Sequence, residues 1–167
     1  MVIGAAAYAS SFDGIFVFDD EPSIADNPNV RSLRPLTRAM AAPPDTTVSG
    51  RPIASLTFAI NYALAPGDRR DLRGYHAVNL SIHILAALAL FGVARRTLVS
   101  TRMRERFGAA ATPLAFATAL IWLVHPLQTG SVTYIVQRVE SLMGLFYLLT
   151  LYCAIRAMDD GSAKAGH

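Results

Sequence analysis

Between Ala77 and Ala94 the chain reads AVNLSIHILAALALFGVA, without one charged side chain. At about 1.5 Å per helical residue the run reaches roughly 27 Å, close to the ~30 Å hydrocarbon thickness of a bilayer. A segment in lipid must satisfy all its backbone N–H and C=O groups internally, so a lone run of this kind is a helix. Two further apolar runs, 109–124 and 141–157, repeat the pattern. The three together predict an all-α, polytopic membrane helix bundle.

Composition and charge agree with that reading. Hydrophobic residues make up 53% and charged residues 16% of the chain, where soluble domains carry about 25% charged residues. The net charge is +3, and Lys164 is the only lysine. The arginines flank apolar runs and form no aromatic-interleaved stripe, which argues against nucleic acid as a partner. Arg95, Arg96, Arg102, Arg104 and Arg106 stand against one acid, Glu105, in the loop between the first two runs. Short arginine-rich loops stay in the cytoplasm, so residues 12–76 and 125–140 are expected together on the extracytoplasmic side, with Trp122 as an aromatic anchor there. The 12–76 loop also holds seven arginines, but it is long and its acids outnumber them, and long loops follow the charge rule weakly. The single cysteine, Cys153, excludes a disulfide within the chain and a multi-cysteine metal site.

Residues 1–11 are apolar but too short to span, and they read as part of a first membrane helix. Residues 12–76 are polar, proline-rich and irregular, with turns at Ala41–Asp45 and Ala65–Asp68. Within them, 51–64 (RPIASLTFAINYAL) has apolar residues at helical spacing and predicts a short interfacial helix. The small, polar stretch 158–167 predicts a disordered tail. Four spans at most, one of them partial, lead to the expectation that the chain is the N-terminal portion of a larger membrane protein.

Three polar clusters fall on the predicted outer side. Asp19 and Asp20 follow an apolar stretch, and adjacent acids at a membrane rim can supply a general base or a metal ligand; a solvated turn is the competing reading. His76, Asn79 and His83 lie at i, i+3 and i+7 and share one helix face. Polar groups in a span turn inward, either to bond neighbouring helices or to line a site. His76, at the rim, is the one placed for substrate. His125 opens the third cluster, which ends on Arg138 and Glu140. A guanidinium suits a phosphate, or it can simply pair with an acid. No phosphate-binding loop, dinucleotide-binding glycine pattern, zinc-ligand set or serine-hydrolase elbow is present; no cofactor is expected, no residues are assigned to a metal, and the sequence does not decide a metal requirement.

The segments FVFDDEPSIADNPNV, RPIASLTFAINYAL, GYHAVNLSIHILAALALF and HPLQTGSVTYIVQRVESLMGLFYLLTLY, in this order, resemble the N-terminal membrane region of the transmembrane and tetratricopeptide-repeat protein O-mannosyltransferases. The similarity runs from about Phe16 to Arg156. It implies a partial GT-C-like bundle and inverting transfer of a sugar, usually mannose, from a polyprenyl-phosphate carrier to a protein Ser or Thr on the outer face. The family's bacterial relatives would place that face in the periplasm of an inner membrane. Asp19 and Asp20 match the family's loop acids and are the expected catalytic residues; Arg138, with His76, Glu140 and His125, is the candidate set for substrate. Where the family holds a Glu after the His-Pro motif, this chain has Gly130. Further membrane helices and helical repeats are the expected missing partners. A non-catalytic membrane scaffold, or an inactive truncated relative, is the competing reading, and a small transporter is disfavoured because the acids cluster outside mid-membrane.

Overall fold

The computed structural model describes residues 2–64 and 71–165, with side chains up to Asp159. The turn expected at Ala65–Asp68 lies outside these residues. Among the described residues there is no strand, and the α-helices run α1 Val2–Ala7, α2 Leu36–Met40, α3 Pro52–Leu64, α4 Arg73–Leu98, α5 Arg104–Phe107, α6 Ala111–Leu123, α7 Gly130–Thr133 and α8 Arg138–Ala165. Three stretches are long and apolar enough to cross a membrane: Arg73–Leu98, Arg104–Leu123 and Ile135–Asp159. The protein is an all-α membrane helix bundle.

α4 is the centre of the bundle, packed along both α6 and α8. α6 buries Ala111, Ala115 and Ala119, spaced four apart, with Leu123 below them, so a stripe of methyl groups lets the backbones approach. α4 and α8 cross closely at Gly92, where an added Cβ would lie 2.7 Å from the Tyr152 ring. The last carbonyl of α6, at Leu123, has no partner inside its own helix. The His83 Nε2–H and the Tyr8 hydroxyl both donate to it, at 2.9 and 3.0 Å. These bonds tie the residue after α1 to α4 and α6 at one end of the bundle.

The helices extend past the boundaries that the uncharged runs suggest. α4 begins at Arg73 rather than Ala77 and continues through Arg95 and Arg96, because arginine can lie at a helix end with its head in the interface. α8 begins at Arg138 and runs to Ala165, so the tail expected to be disordered is helical over most of its length. No proline interrupts the hydrogen-bond ladder after the span.

The segment expected as a polar, irregular loop is a folded cap. Ile24, Val30, Ala39, Val48, Ala54 and Phe58 form an apolar core with Tyr75 of α4 and with Ile135, Val136 and Val139 ahead of and within α8. α3 supplies its floor, burying Ala54, Phe58 and Ala59, while Ile53, Ile60 and Leu64 stay exposed on another face. That two-sided pattern suits a helix lying in the membrane interface. The cap seats on the ends of α4 and α8 and so fixes the positions of the polar residues at that end.

Candidate functional site

The two neighbouring acids face opposite ways. The chain turns at Phe18, a residue in the left-handed region at φ 43°, and the Asp20 N–H closes the turn on the Val17 carbonyl at 3.0 Å. Bulky residues seldom occupy that region, and its energetic cost is tolerated where surrounding contacts hold the backbone. Asp20 then points inward and is fully buried. Its Oδ2 accepts the Val17 N–H at 3.0 Å, and its Oδ1 accepts the Val136 N–H at 2.7 Å. The carboxylate thus clamps the start of the cap to the segment that leads into α8. Asp19 points outward and is exposed. The Thr47 hydroxyl donates to its Oδ2 at 3.2 Å, and the Asp19 N–H donates to the Tyr134 hydroxyl at 3.2 Å.

Burial pushes the Asp20 carboxyl above the ordinary carboxylate range. The N–H bonds from Val17 and Val136 and the positive charge available on His76 pull it down and offset part of that rise. A raised folded-state value means that the folded chain holds the proton more tightly than the unfolded one. The contribution to stability is therefore full below the unfolded pKa, about 3.9, and is lost as pH rises through the folded value. Asp20→Asn removes this titration. The melting-temperature difference, native minus variant, is expected to be most favourable to the native chain at about pH 4 and to shrink toward pH 8. A difference that stays flat over that range contradicts a buried, titrating Asp20.

Behind Asp20, His76 is fully buried at the head of α4. Its Nδ1 lies 3.2 Å from the Val132 carbonyl, which requires the Nδ1–H tautomer for a hydrogen bond. Nε2 has no hydrogen-bond partner among the described residues and faces Gly14, where a Cβ would come within 2.9 Å of it. Only glycine allows the cap to approach the ring so closely. One face-sharing partner of His76, Asn79, donates its amide to the Ile135 carbonyl at 3.1 Å, and the other, His83, bonds to Leu123 as described above.

Arg138 occupies the middle of the cap–bundle junction with no exposed surface. Its Nε donates to Asn79 Oδ1 at 2.7 Å, Nη1 to Asn61 Oδ1 at 2.7 Å and to Thr57 Oγ1 at 3.3 Å, and Nη2 to the Tyr75 carbonyl at 3.0 Å. The guanidinium also lies over Phe58, 4.3 Å from its ring centroid, and over Tyr75 at 5.7 Å. No carboxylate pairs with it among the described residues. The alternative reading of Arg138, a simple pairing with an acid, is not what is found among the described residues: neutral oxygens and aromatic faces surround it. Four of its five N–H groups are committed to protein, so at most one remains for a ligand.

The other two candidates stand apart from this junction. Glu140 is about half exposed and lies 3.4 Å from Arg51, an exposed pair of little energetic weight. His125 is exposed and accepts the Leu127 N–H on its Nδ1, capping the turn Pro126–Gln128. Among the described residues no hydrogen bond or ion pair joins either to Asp19, Asp20 or Arg138, and no group of three or more His, Cys, Asp or Glu is placed to hold a metal. A side chain at Gly130 would meet open space, so packing does not force glycine there. Sequence reasoning missed Thr47, Thr57, Asn61 and Tyr134, since nothing local marks them as partners of residues dozens of positions away.

Protein O-mannosyl-transferase TMTC1 of Mus musculus is 34% identical to the chain over 165 residues, covering 93% of the chain and 16% of the relative. TMTC4 of Homo sapiens is 30% identical over 181 residues, covering all of the chain and 24% of the relative. Protein O-mannosyl-transferase F38B6.6 of Caenorhabditis elegans is 30% identical over 157 residues, 89% of the chain and 21% of the relative. The chain belongs to the family of transmembrane and tetratricopeptide-repeat protein O-mannosyltransferases. It spans less than a quarter of the length of these curated relatives. No family model and no solved structure matches it. Within this segment, the cap and the junction under it hold the buried Asp20, His76 and Arg138.

Proposed function

We propose that the chain is the front part of a membrane glycosyltransferase that moves a sugar, mannose by analogy with the names of its relatives, from a polyprenyl-phosphate carrier to a Ser or Thr hydroxyl of a protein. The cap lies on the extracytoplasmic face, which in a bacterium is the periplasmic one, because the arginine-rich 95–106 loop is at the other end of the bundle. The observation that carries the reading is the pair of oppositely directed acids. Asp20 is spent on locking the cap, while Asp19 offers an open carboxylate on the platform so formed.

In this reading Asp19 takes the proton of the acceptor hydroxyl as its oxygen attacks the anomeric carbon. The new carbon–oxygen bond forms as the bond from that carbon to the carrier phosphate breaks, the configuration inverts, and the polyprenyl phosphate departs. Thr47 holds the Asp19 carboxylate in place through its 3.2 Å hydrogen bond. Asp20, His76 and Arg138 support the site from behind, and the exposed Glu140 and His125 are the outer candidates for substrate contact.

The test is transfer of radiolabelled mannose by the intact protein in proteoliposomes, with a Ser/Thr-rich acceptor peptide. Polyprenyl-phosphate mannose is expected to support transfer and a nucleotide sugar alone is not. Absence of transfer from any lipid-linked sugar sinks the reading. The scaffold alternative draws on one observation, the commitment of both Asp20 oxygens and of four of the five Arg138 N–H groups to internal contacts. It predicts no transfer with any donor while the helices still insert.

A further inference from the structure

At the other end of α4 from Asp20, a cavity of about 440 Å³ opens between α4 and α8. On α4 it is lined by Leu85, Leu88, Ala89, Gly92, Arg95 and Arg96, a single stripe at helical spacing. Leu149 and Tyr152 line the α8 side. We propose that this groove binds an anionic phospholipid, with an acyl chain along the leucines and the headgroup phosphate on Arg95 and Arg96.

Three observations favour a lipid as the occupant. From Leu85 to Arg95 the groove runs about 15 Å along the helix, half of the roughly 30 Å hydrocarbon thickness, which is the depth of one leaflet. Its apolar wall is open: Leu85 is 52%, Leu88 48% and Leu149 40% exposed. The charge sits only at the mouth, at headgroup depth, and it is held in place. Arg95 Nε donates to Thr112 Oγ1 at 3.2 Å. Arg96 lies over the Tyr152 ring at 5.2 Å and pairs with Asp159 at 2.8 Å. Asp159 offsets one of the two guanidinium charges. Arg102, Arg104 and Arg106 in the following loop, against Glu105, keep the end positive. Arg95 has no carboxylate partner among the described residues, and an anionic phospholipid carries a phosphate at this depth by construction. Basic pockets between membrane helices at the cytoplasmic surface are a recurring means of binding anionic headgroups.

The experiment uses the intact protein equilibrated with equal amounts of phosphatidylglycerol and phosphatidylcholine of identical acyl chains, with retained lipid counted by native mass spectrometry. Phosphatidylglycerol is expected to be retained about 5-fold over phosphatidylcholine, given the one guanidinium charge that Asp159 leaves unopposed. Arg95→Gln with Arg96→Gln should bring the two lipids near parity. Leu149→Trp, which narrows the groove without changing charge, should lower phosphatidylglycerol retention. Arg95→Lys with Arg96→Lys keeps the charge and should keep most of the preference, so a loss confined to the Gln pair is a loss of binding and not of folding. The proposal is overturned if the Gln pair leaves the preference unchanged. It is equally overturned if neutralising Arg102, Arg104 and Arg106 removes as much of it, or if Leu149→Trp has no effect.

Discussion

Asp19→Asn in the intact protein is expected to lower sugar transfer by about 10²–10⁴-fold, the usual worth of a positioned general base, with the melting temperature nearly unchanged. The small effect on stability follows from exposure: the carboxylate accepts one side-chain hydrogen bond, from Thr47, and an amide oxygen can accept the same bond. Asp20→Asn should do the reverse. Its two oxygens accept two backbone N–H groups, and an amide can serve only one of them, leaving a donor facing a donor. An unsatisfied buried group costs about 1–3 kcal/mol, so the cap loosens and transfer falls only to the extent that Asp19 loses its platform. The pair of variants is measured by transfer rate and thermal melt in detergent. Equal loss of transfer with equal loss of stability in both would mean that the acids act as one structural unit and that neither is a base.

Which acid does what is the kind of information a sequence withholds. Asp19 and Asp20 are chemically identical neighbours, and their division of labour comes from a backbone turn at Phe18 that no composition rule announces. The spans, by contrast, are legible, because a long uncharged run has few alternatives in a water–lipid system. Their ends are less so: Arg73, His76 and Arg138 look like rim residues, yet all three lie within helices and two are buried by the cap. The cap itself escapes detection for a related reason. Its core residues Ile24, Val30, Ala39, Val48 and Phe58 are scattered among prolines and acids, with no period that a helix or strand would impose. Only contact with the ends of α4 and α8 gives them a common interior.

The cap therefore depends on the bundle, and its contacts through Arg138 are the most concentrated link. Arg138→Met is expected to destabilise the protein by about 3–5 kcal/mol, a large share of the ~5–15 kcal/mol that holds a typical domain together. The volume of Met fits the space, but Asn79 Oδ1, Asn61 Oδ1, Thr57 Oγ1 and the Tyr75 carbonyl all lose their donor. Arg138→Lys retains a cation over Phe58, yet one ammonium cannot reach partners arranged around a planar fork, so it should recover only part of the loss. Because these oxygens belong to α3 and α4, the damage should appear first as protease sensitivity of residues 12–64, while α4, α6 and α8 stay in the membrane fraction. The alternative role is a grip on the carrier phosphate, and the same variants test it. If Arg138→Met melts as the native protein does and instead raises the KM for the lipid-linked donor, the guanidinium reaches substrate and the caged arrangement is not its working state. A fall in stability that Arg138→Lys partly restores, with an unchanged donor KM in whatever fraction stays folded, is the result the four hydrogen bonds predict.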